Sequence, residues 1–184
     1  MTHVLSRLAG ERIHKVSPRV EWMEYMLLCA TVLIVPLIFR HPQILVGSAV
    51  NFVLIMAAIN VSSWRKLIPL IILPGISATA GGCLFGCFTF FLLYMLPFIW
   101  LGNGVLVFLF KWCLVVNKRN FFVSLIFSSL AKAICLFIAA SILVIFNVVP
   151  SFFLYAMGPI QIATSLLGGL CVLPIMTVHN RILH

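Results

Sequence analysis

Six long apolar runs, almost free of charge and separated by short basic clusters, leave this chain very few folds. They cover roughly 22–39, 43–61, 67–82, 88–116, 121–147 and 152–178. A helix rising 1.5 Å per residue needs about 20 apolar residues to cross a hydrocarbon core about 30 Å thick. Within lipid the backbone must satisfy its own hydrogen bonds, which leaves helices or a closed barrel. Barrel strands alternate apolar and polar residues over about ten positions, whereas these runs are continuously apolar for much longer. The sequence therefore predicts an all-α integral membrane protein, a bundle of six transmembrane helices. Composition agrees: of 184 residues 64% are apolar, 8% are charged and none is Asp. A soluble domain carries about a quarter charged residues to keep its surface wet.

The basic residues set the orientation. With the N-terminus inside, the cytoplasmic ends collect Arg7, Arg12, Lys15, Arg19, Arg65, Lys66, Lys118, Arg119 and Arg181, and the outer ends only Arg40. Lys111 lies about one turn short of the inner interface and is expected to snorkel to it. Such asymmetry is the positive-inside signature, and its alternation demands an even number of spans with both termini cytoplasmic. The expected organisation is a basic interfacial tail over 1–21, a single transmembrane domain over 22–178 and a short cytoplasmic tail over 179–184. Arg40-His41-Pro42, rather than a small-residue cleavage site, follows the first run, so that run reads as a span and not as a removable leader. The net charge of +9 is spread between the spans and not gathered into a patch, which argues against nucleic acid as a partner. The expected setting is the lipid bilayer of a cell membrane.

Several chemistries lack their residues. No His lies inside a run: His41 and His179 are at the edges, and His3, His14 and His184 are in the tails. Haem ligation across two helices and intramembrane zinc are thus disfavoured. There is no Walker A sequence for ATP hydrolysis. No carboxylate lies inside a run to relay protons, since Glu11, Glu21 and Glu24 all sit at the inner end. Six cysteines lie almost entirely within the runs, where free Cys packs as a small hydrophobe. Cys83 and Cys87, one helical turn apart, are the only close pair; packing is the simpler reading, with a membrane enzyme built on the pair as a remote alternative. No catalytic residue, metal or cofactor is expected.

Lys132 is the most informative position. A lysine at the bilayer centre costs about 2.5–3.5 kcal/mol on insertion scales. Counted from Asn120 at the inner interface, Lys132 lies about 18 Å deep, beside a small and polar face of Ser124, Ser128, Ala131, Cys135 and Ala139 that should turn into the bundle. No acid of the chain lies at its depth. The charge needs carbonyls, water, another subunit or an anionic ligand, or else the amine is neutral. The same count places Asn51 about 12 Å, Asn103 about 21 Å and Gln161 about 15 Å into their helices, all within about a turn of one level. Buried amides often serve only as interhelical glue, but a shared layer containing one cation sketches a site for a small polar or anionic molecule. Trp100, Tyr94, Tyr155 and Phe98 could wall it. Pro74-Gly75, Pro97, Gly102, Gly104 and Gly158-Pro159 mark the same region, and irregular backbone at membrane depth is tolerated where it lines a cavity.

Four segments together resemble the substrate-binding S components of energy-coupling-factor (ECF) transporters. They are Gly47-Ser48-Ala49-Val50-Asn51, the stretch from Leu96 to Val107 with Pro97, Trp100 and Asn103, Ala131-Lys132-Ala133, and Gly158-Pro159-Ile160-Gln161 continuing to Gly169. The resemblance covers about Gly47 to Leu170. The family's Ala-x-x-x-Ala docking motif has no counterpart in the first helix, where the nearest stretch is Ala30-Thr31-Val32-Leu33-Ile34. The resemblance implies a six-helix bundle in a prokaryotic plasma membrane. It also implies capture of a vitamin or related micronutrient near the outer side, and docking onto a membrane coupling protein with ATPase subunits. On that reading Lys132, Asn103, Gln161, Asn51 and Trp100 line the ligand site. The rival reading is a non-transporting anchor or assembly subunit of a larger membrane complex, a redox complex among the options, with Lys132 paired to a neighbour's carboxylate.

Overall fold

The computed structural model describes residues 17–39, 42–81 and 86–176, and no strand occurs among the described residues. In chain order the helices are α1 (Pro18–Ile38), α2 (Gln43–Asn60), α3 (Trp64–Ala80), a 3-10 turn (Gly86–Phe91), α4 (Leu92–Lys111), a π-turn (Trp112–Val116), α5 (Phe121–Ile145), α6 (Phe152–Met157) and α7 (Pro159–Leu170). Among the described residues five stretches are long and apolar enough to cross a membrane: Arg19–Ile38, Gln43–Asn60, Phe88–Val116, Phe121–Ile145 and Phe152–Met176. The chain is an all-α protein with the architecture of a multi-pass membrane protein. Arg7, Arg12, Lys15, Arg40, His41, Gly82, Cys83 and the tail from 179 to 184 lie outside the described residues. The interfacial tail and the Cys83–Cys87 pair thus fall outside them.

The elements begin and end where local chemistry dictates. α1 starts at Pro18, ahead of the expected boundary at 22, because proline suits the first helical position and Glu21 lies in the first turn. The Asn120 side chain accepts from the Phe122 amide and caps α5. The last stretch is split at Gly158, where proline follows and the backbone leaves helical values.

Two expectations are corrected. α3 runs unbroken through Pro69 and Pro74, although Pro74-Gly75 reads as a break. The glycine is used for packing instead: a Cβ at position 75 would lie 2.8 Å from Leu96 Cδ2 and 3.0 Å from Trp100 Nε1. With 17 residues, α3 extends about 26 Å, somewhat short of a full hydrocarbon core. Second, Lys111 does not reach the interface. It is wholly buried, and its Nζ donates to the Val61 carbonyl at the end of α2. Helix ends leave carbonyls without intrahelical donors and carry partial negative charge, so the ammonium finds its acceptor inside the protein.

α2 packs most extensively on α7, and α4 on α5, while α1 rests on α3 and α2. The α2–α7 contact brings backbones together. At Gly168 a Cβ would stand 2.5 Å from the Ser48 carbonyl oxygen and 2.6 Å from the Phe52 nitrogen, and at Gly47 it would meet Thr164 Cγ2 at 2.9 Å. Small residues at such crossings allow helices to approach closely. On α5 the buried face runs through Ser124, Ser128, Ser129, Lys132, Ala133, Leu136, Ala139 and Ala140, and Phe122, Ile126, Phe127, Ile134, Phe137 and Ile138 face outward. Ala131 and Cys135 fall on the flank of that face, half-buried.

The buried apolar residues form two clusters. One gathers Leu54, Ile55, Ile59, Leu67, Leu106 and Phe110; the other gathers Leu92, Met95, Leu136, Ala140, Phe153 and Met157. Along α4 Asn103 falls between the two, and along α5 Lys132 does. A polar layer thus separates two oily ones.

Candidate functional site

Three helices converge on the Lys132 ammonium. Lys132 projects from α5 with 3% of its surface exposed. It donates to Asn51 Oδ1 of α2 at 2.6 Å and to Asn103 Oδ1 of α4 at 2.9 Å. Both amides are held in that orientation from behind. Asn51 Nδ2 donates to Thr164 Oγ1 of α7 at 3.1 Å, and that hydroxyl donates in turn to the Gln161 carbonyl at 3.2 Å. Asn103 Nδ2 donates to the Ile71 carbonyl of α3 at 3.2 Å. With each NH2 committed elsewhere, the carbonyl oxygens are the ends left to face the lysine.

The local sequence explains why these groups are free to meet. Close contact of α2 and α7 through Gly47 and Gly168 brings Asn51 to Thr164. On α3 the absence of a side chain at Gly75 lets α4 approach closely, and the carbonyls of Ile71 and Ile72, each with two lone pairs, accept from its side chains. Ile71 accepts from Asn103, and Ile72 accepts from Trp100 Nε1 at 3.1 Å.

The ledger for the lysine closes. Two hydrogen bonds from a charged donor contribute about 1.5–3 kcal/mol each, against an insertion cost of about 2.5–3.5 kcal/mol. Two amide dipoles therefore suffice to hold the cation in place. They carry no formal charge, however, and Lys132 forms no ion pair with any described residue. An ammonium has three donors, and two are in use.

Lys132 and Asn103 lie at one end of a cavity of about 80 Å³ that extends toward Gln43 and Pro36, where α1 ends and α2 begins. Gln161 lines it as well, and its walls are otherwise chiefly aliphatic, with Val46, Val50, Leu92, Ile99 and Met157. The Gln161 amide makes only a long contact, 4.0 Å, to the Met157 sulfur. Its hydrogen-bonding capacity is largely unspent.

The structure thus gathers Lys132, Asn51, Asn103 and Gln161 around one point. Trp100 lies apart. Its indole is tied to α3, and its ring borders a separate apolar groove with Trp64, Leu101, Gly104 and Phe108. Tyr94 and Tyr155 point outward, and Phe98 packs against the second apolar cluster. Sequence reasoning missed Thr164 and Gln43. Thr164 could have been found from its spacing, three residues after Gln161 on the same helix face. Gln43, at the start of a helix, carried no signal of depth.

Among the described residues no three His, Cys, Asp or Glu side chains converge as metal ligands would. No family model, curated protein or solved structure matches the chain.

Proposed function

We propose that this protein is a membrane-embedded binding subunit for a small polar or anionic micronutrient, functioning in uptake as an ECF-like S component. The observation that carries the reading is one lysine, fixed by two amide oxygens, at the end of a cavity among seven helices. A fixed cation with an unspent donor beside an apolar-walled hollow is a suitable receptor for a compact solute. Small-molecule sites are commonly of this kind, mostly apolar with a few convergent polar groups.

In this proposal α3 completes six spans despite its length, since a short helix is accommodated by local thinning of the bilayer at modest cost. Both termini are cytoplasmic, as the basic residues require. The cavity then opens toward the outer face, because α1 ends and α2 begins there. The protein performs no covalent chemistry; it captures the solute, and a membrane coupling protein with ATPase subunits supplies the work. Burial of Lys132 among its own helices supports this over an anchor role, in which the amine would face a flank to meet a neighbour's carboxylate.

The test is mass spectrometry of small molecules released from gently purified protein, repeated with Lys132→Met. A solute should accompany the native chain and be missing from the variant. If nothing accompanies the native chain, or if the same solute accompanies both, the proposal fails.

A further inference from the structure

The lining of the cavity defines a narrower ligand class than "small and anionic", and this step rests on reading the cavity as a binding site. Its polar groups are one ammonium and the amides of Asn103, Gln43 and Gln161. Among the described residues the lining includes no carboxylate, no second cation and no aromatic ring. The first and third absences bear on recognition. A zwitterion would bring an ammonium of its own and find only dipoles to meet it. A flat aromatic solute would find no ring on which to stack.

Size narrows the class further. About 80 Å³ is well below the ~300 Å³ at which pockets for drug-sized ligands begin. The same space therefore suits a carboxylate on a short aliphatic skeleton. The Lys132 ammonium would take the carboxylate with its remaining donor, and the aliphatic walls would meet the carbon chain. Gln161, whose amide is barely used within the protein, offers both a donor and an acceptor to a further polar substituent.

We infer that the ligand is a short aliphatic monocarboxylate bearing a neutral hydroxyl, oxo or amide group, bound with its carboxylate on Lys132 and its polar substituent on Gln161.

The experiment uses the full chain in phosphatidylcholine nanodiscs, with binding read by thermal unfolding and by titration. The probes are L-lactate, propionate, L-lactamide, L-alanine, benzoate and chloride. L-lactate should bind at least about tenfold more tightly than L-lactamide or L-alanine, the scale expected of one charge-assisted hydrogen bond. That preference should vanish in Lys132→Gln. Gln161→Leu should weaken L-lactate while leaving propionate unchanged. Val50→Phe, which fills the cavity without altering the lysine or its amide partners, should abolish binding and serves as the control if Lys132→Gln does not fold.

Equal binding of L-alanine, benzoate or chloride overturns the assignment, as does binding of L-lactate that survives Lys132→Gln or Val50→Phe. If none of these probes binds but a solute still accompanies the native protein, the ligand class is wrong and the binding reading stands. If no solute accompanies it either, both are lost.

Discussion

Two buried lysines in this molecule meet opposite surroundings. Lys111 is enclosed by the first apolar cluster and gives its ammonium to the Val61 carbonyl, at the end of α2. Lys132 gives its ammonium to two side-chain amides and borders a cavity. The first completes a helix terminus, whose exposed carbonyls and dipole favour a cation. The second is held by two amides that also bond α7 and α3, beside a cavity. A buried charge is therefore not by itself a site. What its partners would otherwise lack, and what lies on its open side, separate scaffold from receptor.

The sharpest way to break this contrast is to remove each charge. Lys111→Met leaves the end of α2 with an unanswered carbonyl in a buried position. A loss of about 2–4 kcal/mol is expected, read as a lowered unfolding temperature in detergent. Next in size is Gly168→Ala, whose added methyl meets backbone atoms of α2. Overpacking there should cost about 1–3 kcal/mol and, by parting α2 from α7, weaken solute binding as well. Lys132→Met should leave stability within about 1 kcal/mol of the native value, because the recovered insertion cost offsets the stranded amide oxygens. Its effect should fall on bound solute instead. Were Lys132→Met as damaging to the fold as Lys111→Met, the distinction between the two lysines would collapse. The smallest effect is reserved for Gly104→Ala. A Cβ there meets nothing within 4 Å, so the better helix former should raise stability by up to about 1 kcal/mol. A decrease would mean that the groove beside Trp100 is occupied.

Much of this arrangement can be read from the chain without coordinates. Span positions follow from apolar run length, and the polar layer follows from counting residues inward from the interface, which brings Asn51, Asn103 and Lys132 to one depth. Depth along a helix is a one-dimensional quantity and survives translation into sequence. Rotation about the helix axis and the exact partner do not. Trp100 stands three residues before Asn103 and so shares its side of α4, yet its indole turns to Ile72 and away from the cavity. Lys111 is close enough to the interface to snorkel, and only the position of the end of α2 reveals that an acceptor is nearer than water. Pro74 signals a break by its own chemistry. The helix nevertheless runs through it, and the carbonyls that α4 side chains reach are those of Ile71 and Ile72.

The division of the interior into two oily plugs by a polar seam has a mechanical meaning. Anything reaching Lys132 from the Gln43 end faces Leu54, Leu106 and Phe110 ahead of it, a packed apolar stopper. The vestibule is a blind alley: on the binding reading proposed above, a guest would leave by the door it entered, and the engine of any net movement would lie in another molecule.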